Sequence, residues 1–194
     1  LTEAEFKVGL IQPDSSNLVI SEIHYHPGFA NSAELVTGFD DPDDFEFIEL
    51  RNIGNQTLDL TDLSFTDGIS FNFVDGLVTS LAPDASVIIV RSLDAFRLRY
   101  GNGYEALLAG QYGGGLSNGG EQIVLSFASN SPIFDFTYDD NPPWATSPDG
   151  GGYSLVLVAP ETAPDHALAA SWTAGALIDG TPGTLEPASI DYDT

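Results

Sequence analysis

The chain has 194 residues, and its most unusual property is its charge. Asp and Glu number 29 against five Lys and Arg, so the formal net charge is −24 at pH 7 and the surface repels nucleic acids and anionic membranes. Hydrophobic residues make up 42% of the chain, which predicts a folded core rather than disorder. Because of this charge, nucleic-acid binding is not expected. No apolar run is long enough to span a bilayer, so membrane insertion is not expected either.

Both ends of the chain have the composition of linkers. Residues 12–17 (QPDSSN) combine Pro, Asp and Ser, and the tail after Gly183 is rich in Pro and acidic residues. Position 1 is not methionine, so we expect a processed or excised piece of a longer protein. The chain lacks cysteine, which leaves its redox compartment open.

Apolar residues alternate with polar ones along most of the chain between these ends. This period of two predicts β-strands, because successive side chains of a strand point to opposite faces. In chain order the expected strands cover residues 18–25, 46–53, 58–60, 86–90, 123–127, 134–138 and 153–157, with a bent strand or hairpin at 63–73 around Asp67-Gly68. About eight strands separated by Gly, Pro, Asn and Asp favour an all-β sandwich or barrel.

One helix is predicted over residues 93–100, with Ser92 as its N-cap and Gly101 as its stop. Arg91, Arg97 and Arg99 lie in or beside it. We interpret it as a helix that crosses between the sheets, with its arginines paired to surface acids. A phosphate site is the alternative, and it lacks a glycine-rich cradle at the helix N-terminus.

Several motifs together resemble the lamin tail domain of secreted bacterial proteins. They are, in order, ISEIHYHP (20–27), DDFEFIELRNIG (43–54), LDLTDLSFTDGISF (58–71), LSNGGEQIVL (116–125) and TPG (181–183). The resemblance implies an immunoglobulin-like β-sandwich over residues 18–183, with one short connecting helix and no catalytic apparatus. Residues 1–10 resemble the last strand of a small β-domain that precedes such domains, so 1–17 are assigned to that module and a linker, and 184–194 to a C-terminal linker.

The same resemblance implies a role and a location. Bacterial domains of this kind are accessory modules of large multidomain proteins that are secreted or held at the cell surface, where they serve adhesion or assembly. The expected partners are other domains of the same polypeptide and an extracellular polysaccharide or protein. The resemblance supplies no established ligand residues.

Two acidic runs are candidates for calcium binding. The first consists of Asp40, Asp41, Asp43, Asp44 and Glu46, and the second of Asp139, Asp140 and Asn141, with Asp149 after it. Calcium takes six to eight oxygen ligands from flexible loops of this composition. If the two runs meet at one end of the sandwich, a calcium site is expected there, and otherwise they are solvated loop acids. The fold itself requires no cofactor.

Glu22, His24 and His26 are spaced to lie on one face of the first strand. A carboxylate and two imidazoles form a plausible transition-metal set, so a metal-dependent hydrolase is one alternative function. The other interpretation is an outward polar face whose histidines cap nearby backbone.

Aromatic residues near the second acidic run raise a further alternative, a carbohydrate-binding module that targets an attached enzyme. Trp144 follows two prolines in a loop and is the best candidate for an exposed anchor, with Tyr138 beside it. Both could instead clamp a loop. Trp172 is expected to be the core tryptophan.

Overall fold

The computed structural model describes residues 9–128 and 131–185, which form a two-sheet β-structure with short helices. The strands are β1 (Leu18–His24), β2 (Phe47–Asn52), β3 (Leu58–Asp59), β4 (Leu63–Asp67), β5 (Ile69–Asn72), β6 (Ser80–Leu81), β7 (Ser86–Val90), β8 (Leu108–Gln111), β9 (Gly113–Gly114), β10 (Glu121–Phe127), β11 (Ser131–Tyr138), β12 (Tyr153–Leu157) and β13 (Trp172–Ile178). The α-helices are α1 (Ser32–Thr37) and α2 (Leu93–Tyr100). None of the helices in these residues is long and apolar enough to cross a membrane.

The strands form two main sheets that pack on each other. One sheet has the order β13-β12-β1-β2-β7-β8, and the other has the order β11-β10-β4-β5-β9. The main core lies between them and includes Ile20, Leu50, Phe65, Leu125 and Trp172. This arrangement confirms the predicted all-β, immunoglobulin-like sandwich.

Sequence patterns located most strands correctly. β7 covers the predicted residues 86–90, and β4 and β5 form the predicted hairpin around Gly68, whose φ of 79° favours glycine. The prediction was wrong in ending the strands at residue 157, because β13 pairs with β12 and extends the six-stranded sheet. β8 was also missed, since its sequence Leu-Ala-Gly-Gln carries no alternation.

The six-stranded sheet is covered on its outer face as well. Ile48 and Leu50 point into the main core, while Phe47 packs on the other side of β2. There it joins a second apolar cluster that α2 completes, made of Phe47, Ile88, Val90, Phe96 and Leu108. The outer face of this sheet is therefore an interior, and charged side chains on it become buried.

The predicted helix is present with the predicted caps, but its path differs. Ser92 Oγ accepts a hydrogen bond from Ala95 N, and the helix ends at Gly101, where φ is 79°. It connects β7 to β8, which are parallel neighbours in one sheet. The interpretation as a helix that crosses between the sheets was therefore wrong, because a parallel pair needs a crossover over its own sheet.

A second helix, α1, was not predicted. It carries a capping box, in which Asn31 Oδ1 accepts hydrogen bonds from Ala33 N and Glu34 N. In turn, Glu34 Oε2 accepts a hydrogen bond from Asn31 N. Gly38 ends it in the left-handed conformation, with φ of 95°. The helix was missed because its apolar residues do not form a buried stripe.

Part of the predicted N-terminal linker packs on the sandwich. Ile11 pairs with β3, and Asn17 accepts a bond from Ile53 N through its backbone oxygen. Residues 1–8, which hold most of the strand assigned to a preceding module, lie outside the described residues, as do residues 186–194 of the C-terminal linker.

Candidate functional site

The structure brings both acidic runs to one end of the sandwich. His24 at the end of β1 pairs with Phe47 at the start of β2, so residues 40–46 lie at this end. Residues 139–141 lie there too, because they follow Tyr138, whose ring packs 4.9 Å from that of Tyr25 between the two sheets. We call residues 40–46, 139–141 and 149 the acidic end.

Within the described part of the chain, no group of three or more His, Asp and Glu side chains is arranged to hold a metal ion. The loop acids instead bond within their own loops. Asp41 Oδ1 accepts from Asp43 N at 3.1 Å, and Asp139 Oδ1 accepts from Asn141 N at 2.8 Å. Burial, and then Asp41, raise the pKa of Asp44. The acidic runs thus share one end without converging on a point, and the calcium site remains a prediction.

The last residue of the first acidic run, Glu46, has a buried carboxyl group with one oxygen that lacks a hydrogen-bond partner among the described residues. Glu46 is fully buried, and its Oε2 accepts bonds from Tyr112 Oη at 2.7 Å and Leu116 N at 3.0 Å. In the described residues, neither Glu46 Oε1 nor the buried Tyr25 Oη has a hydrogen-bond partner. Burial raises the pKa of Glu46 to about 8, so the group holds a proton at neutral pH.

This group predicts that the free energy of unfolding falls as the pH rises from about 7 to about 8. In this window the unfolded chain has lost the Glu46 proton at its ordinary pKa of 4.5, whereas the folded chain retains it. The buried Glu49, whose pKa burial also raises, acts in the same direction. Burial lowers the pKa of His24 to about 3 and that of His166 to about 4, so both act in the opposite direction near their ordinary pKa of 6.5, and this opposition fades as the pH rises above it. Urea denaturation at a series of pH values measures the slope.

Glu46→Gln should remove much of this slope, and Glu105→Gln, a change at an exposed carboxylate, should leave it intact. An unchanged slope in Glu46→Gln would contradict the assignment.

The three residues of the predicted metal set, Glu22, His24 and His26, which we call the histidine strand, lie in three different environments. Glu22 accepts bonds from Ser154 Oγ and Thr181 N, and His26 Nδ1 lies 2.8 Å from Asp149 Oδ1. His24 is fully buried, 5.2 Å from the ring of Phe47. Burial lowers the pKa of His24 to about 3, although the nearby Tyr153 backbone acts in the opposite direction.

The interpretation of this strand as an outward polar face was wrong, because residues 179–184 and α2 cover it. Neither ring nitrogen of His24 makes a hydrogen bond of normal geometry to a described residue. A metal role for Glu22, His24 and His26 stays an untested alternative.

The aromatic candidates do not form an exposed pair. Tyr138 is fully buried, and its Oη donates to Ser117 O at 2.7 Å, so its ring is not offered to a sugar. Trp144 is half-buried, with its ring 6.4 Å from that of Trp172. Trp172 lies in the core, as expected.

Sequence reasoning missed a polar assembly around residues 179–184, which we call the C-terminal clasp. Glu22 and Glu49 face each other across β1 and β2 and are both buried. Thr181 N donates to Glu22 Oε1 at 2.9 Å, and Gly183 N donates to Glu49 Oε2. The only signal in the sequence was the TPG motif, because its partners lie far away along the chain.

Two serine hydroxyls also donate hydrogen bonds to Glu49. Ser21 Oγ donates to Glu49 Oε1 at 2.7 Å, and Ser86 Oγ donates to the same oxygen at 3.0 Å. The clasp borders a cavity of about 460 Å³, whose lining includes both glutamates. Both glutamates thus hold the clasp against β1 and β2.

Arg99 anchors the other end of the clasp. Its guanidinium forms a two-pronged pair with Glu34, with distances of 3.0 and 2.9 Å, and lies 3.3 Å from Asp179 Oδ1. It also stacks on Phe45, 3.4 Å from the ring centroid. The Arg99 guanidinium holds the pKa of Glu34 below its usual range. One buried arginine therefore joins α2, α1 and the clasp.

The predicted pairing of the arginines with acids is partly realised. Arg97 pairs with the exposed Glu105 at 2.7 Å, whereas Arg91 bonds to the backbone oxygen of Gly114. Each arginine of this group therefore already has a partner within the domain, which leaves the phosphate alternative without support.

A family model described as Lamin Tail Domain matches residues 11–140, which is more than half of the chain. The chain belongs to the lamin tail domain family. Lamin tail domains are immunoglobulin-like and generally non-catalytic, which agrees with a binding or assembly module. No curated protein and no solved structure gave a significant match. In this lamin tail domain β12, β13 and the clasp lie beyond the matched residues, and β12 and β13 complete the six-stranded sheet.

Proposed function

We propose that this lamin tail domain is a non-catalytic adhesion or assembly module of a larger bacterial protein that is secreted or held at the cell surface. Its partners are other domains of the same polypeptide and an extracellular protein or polysaccharide. The net charge of −24 supports this choice, because it disfavours nucleic acids and anionic membranes as partners.

One observation carries the proposal: two acidic loops from different sheets share one end of the sandwich, where Glu46 has a buried carboxyl oxygen without a partner among the described residues. A module that works outside the cell meets millimolar calcium, and flexible acidic loops are the ligands that calcium takes. In the proposed state, calcium draws the loops at Asp43 and Asp139 together and stiffens the end that meets a partner. The fold does not require the ion.

Thermal unfolding with EDTA and then with millimolar calcium tests this role. A ligand that binds only the folded state stabilises it by about 2.7 kcal/mol at a concentration one hundred times its Kd, so we expect the midpoint to rise by several degrees with calcium. The combined variant Asp43→Asn, Asp139→Asn should lose the rise.

Asp75→Asn, a change at an exposed acid in the 3-10 helix Phe73–Asp75, should keep the rise and serves as the matched control. A midpoint that does not move with calcium would remove the ion from the proposal. A midpoint that rises with zinc alone would favour the histidine strand instead.

A further inference from the structure

Helix α1 buries a charged side chain and exposes its large apolar ones, which is the reverse of the usual arrangement in a surface helix. A helix at the surface of a globular protein normally buries its apolar residues and exposes its charged ones. Glu34 is the one residue of α1 that is buried, while Leu35 is 52% exposed and Val36 is 87% exposed. Phe29, just before the helix, is 89% exposed. The fractional exposures of Phe29 and Val36 are the two highest among the large apolar residues that the structure describes.

Polar contacts fix this reversed orientation. Both oxygens of Glu34 bond to the buried Arg99, and Glu34 Oε2 also accepts from Asn31 N at 2.7 Å. Rotating α1 to bury Val36 would break the pair and leave the Arg99 charge buried without its main partner, which is far more costly than exposing a valine. These contacts therefore keep Phe29, Leu35 and Val36 exposed to solvent.

Acidic side chains follow this apolar group directly. Asp40, Asp41, Asp43 and Asp44 come three to seven residues after Thr37, the last residue of α1. Within residues 9–128 and 131–185, none of these four carboxylates forms an ion pair. The surface thus combines exposed apolar side chains with four carboxylates that form no ion pair with a described residue.

We propose that Phe29, Leu35 and Val36, together with the acid run at 40–44, form a docking surface for a basic protein segment that carries an apolar anchor. Charge complementarity selects this occupant, because a second copy of the chain brings a further charge of −24 and is repelled. The inference rests on the proposed binding role and names the chemistry of the partner. Its apolar contact supplies affinity, and its lysines or arginines supply the association rate.

Two synthetic peptides test the surface by calorimetric titration in EDTA at physiological salt. In the first, lysine and leucine follow a helical repeat, and in the second, serine replaces each leucine, so that both peptides carry the same charge. We expect the lysine–leucine peptide to bind about tenfold more tightly than the lysine–serine peptide. Equal affinities would overturn the proposal, because the attraction would then be charge alone.

Matched variants locate the binding. Phe29→Ser with Val36→Ser should weaken binding of the lysine–leucine peptide about tenfold without changing the thermal midpoint, since both side chains are exposed. Val74→Ser with Leu77→Ser changes two other exposed apolar residues and should leave the affinity intact. Equal losses in both variants, or no loss in the first, would overturn the assignment to α1.

Other occupants give distinct results. Binding to phosphatidylcholine vesicles that the Phe29→Ser, Val36→Ser variant abolishes, without binding of either peptide, would overturn the proposal in favour of a lipid surface. A concentration-dependent dimer in sedimentation that the same variant abolishes would overturn it in favour of a second copy. Because the titrations contain EDTA, their failure leaves the calcium test of the proposed function unaffected, and the reverse also holds.

Discussion

Replacing Arg99 with methionine is expected to lower the free energy of unfolding by about 3–5 kcal/mol. The Arg99 side chain is 6% exposed and pairs with both Glu34 and Asp179, so methionine leaves two carboxylates near each other without the cation between them. The methionine also cannot replace the stacking on Phe45. Equilibrium urea denaturation measures the loss.

Arg97→Met is the matched control, because Arg97 lies in the same helix and its pair with Glu105 is exposed to solvent. It should change the free energy of unfolding little. Similar losses in the two variants would show that the buried pair of Arg99 with Glu34 contributes no more to stability than the exposed pair of Arg97 with Glu105. A further variant, Arg99→Met with Glu34→Leu, should recover part of the loss, since it removes an unpaired buried carboxylate together with the cation.

Replacing Gly180 with alanine is expected to lower the free energy of unfolding by about 2–4 kcal/mol. Gly180 has a φ of 74°, which strains any other residue, and a Cβ there would lie 2.5 Å from Glu22 Oε1 and 3.1 Å from Phe47 Cζ. The next residue, Thr181, donates to Glu22, so the added methyl group pushes directly against the clasp. Urea denaturation gives the total loss, and hydrogen exchange of Thr181 N and Gly183 N reports whether the clasp opens locally.

Gly103→Ala serves as the control for this substitution. A Cβ at Gly103 meets nothing within 4 Å, and its φ is not in the left-handed region. Its stability should match that of the parent chain. Equal stability of Gly180→Ala and Gly103→Ala would contradict this prediction. It would mean that the bonds to Glu22 and Glu49 do not hold the clasp in one position.

The two variants also bear on the docking surface. Arg99 fixes the orientation of Glu34 and thereby of α1, whereas Gly180 lies in the clasp. Arg99→Met should therefore weaken binding of the lysine–leucine peptide even where the domain is still folded. Buried polar contacts in this domain hold an apolar surface in the solvent, where a partner can reach it.

Sequence patterns predicted those features that depend on neighbouring residues. Phe134, Phe136 and Tyr138 alternate with exposed residues in β11 as their spacing indicates. Ser92 and Gly101 cap α2 because capping depends on a residue and the backbone a few positions away. The same local logic located the hairpin at Gly68 and, through ordered motifs, the family.

Burial of charged residues was the main feature that sequence patterns did not predict. Glu22, which alternates with apolar residues, was expected on an exposed polar face, and Arg99 was expected in a surface ion pair. Their burial depends on residues that fold over them, such as Thr181, which lies 159 positions from Glu22. No local period records such a contact.

By itself, the sequence therefore determined most of the strands, the caps of α2, the acidity and the membership of the lamin tail domain family. Only the tertiary structure decided that Glu22, Glu49 and Arg99 are interior residues, that the two acidic runs share one end, and that α1 turns its apolar side outward. The physical reason is that alternation and capping follow from short-range backbone geometry. The environment of a charge, by contrast, is set by which distant segment excludes water from it.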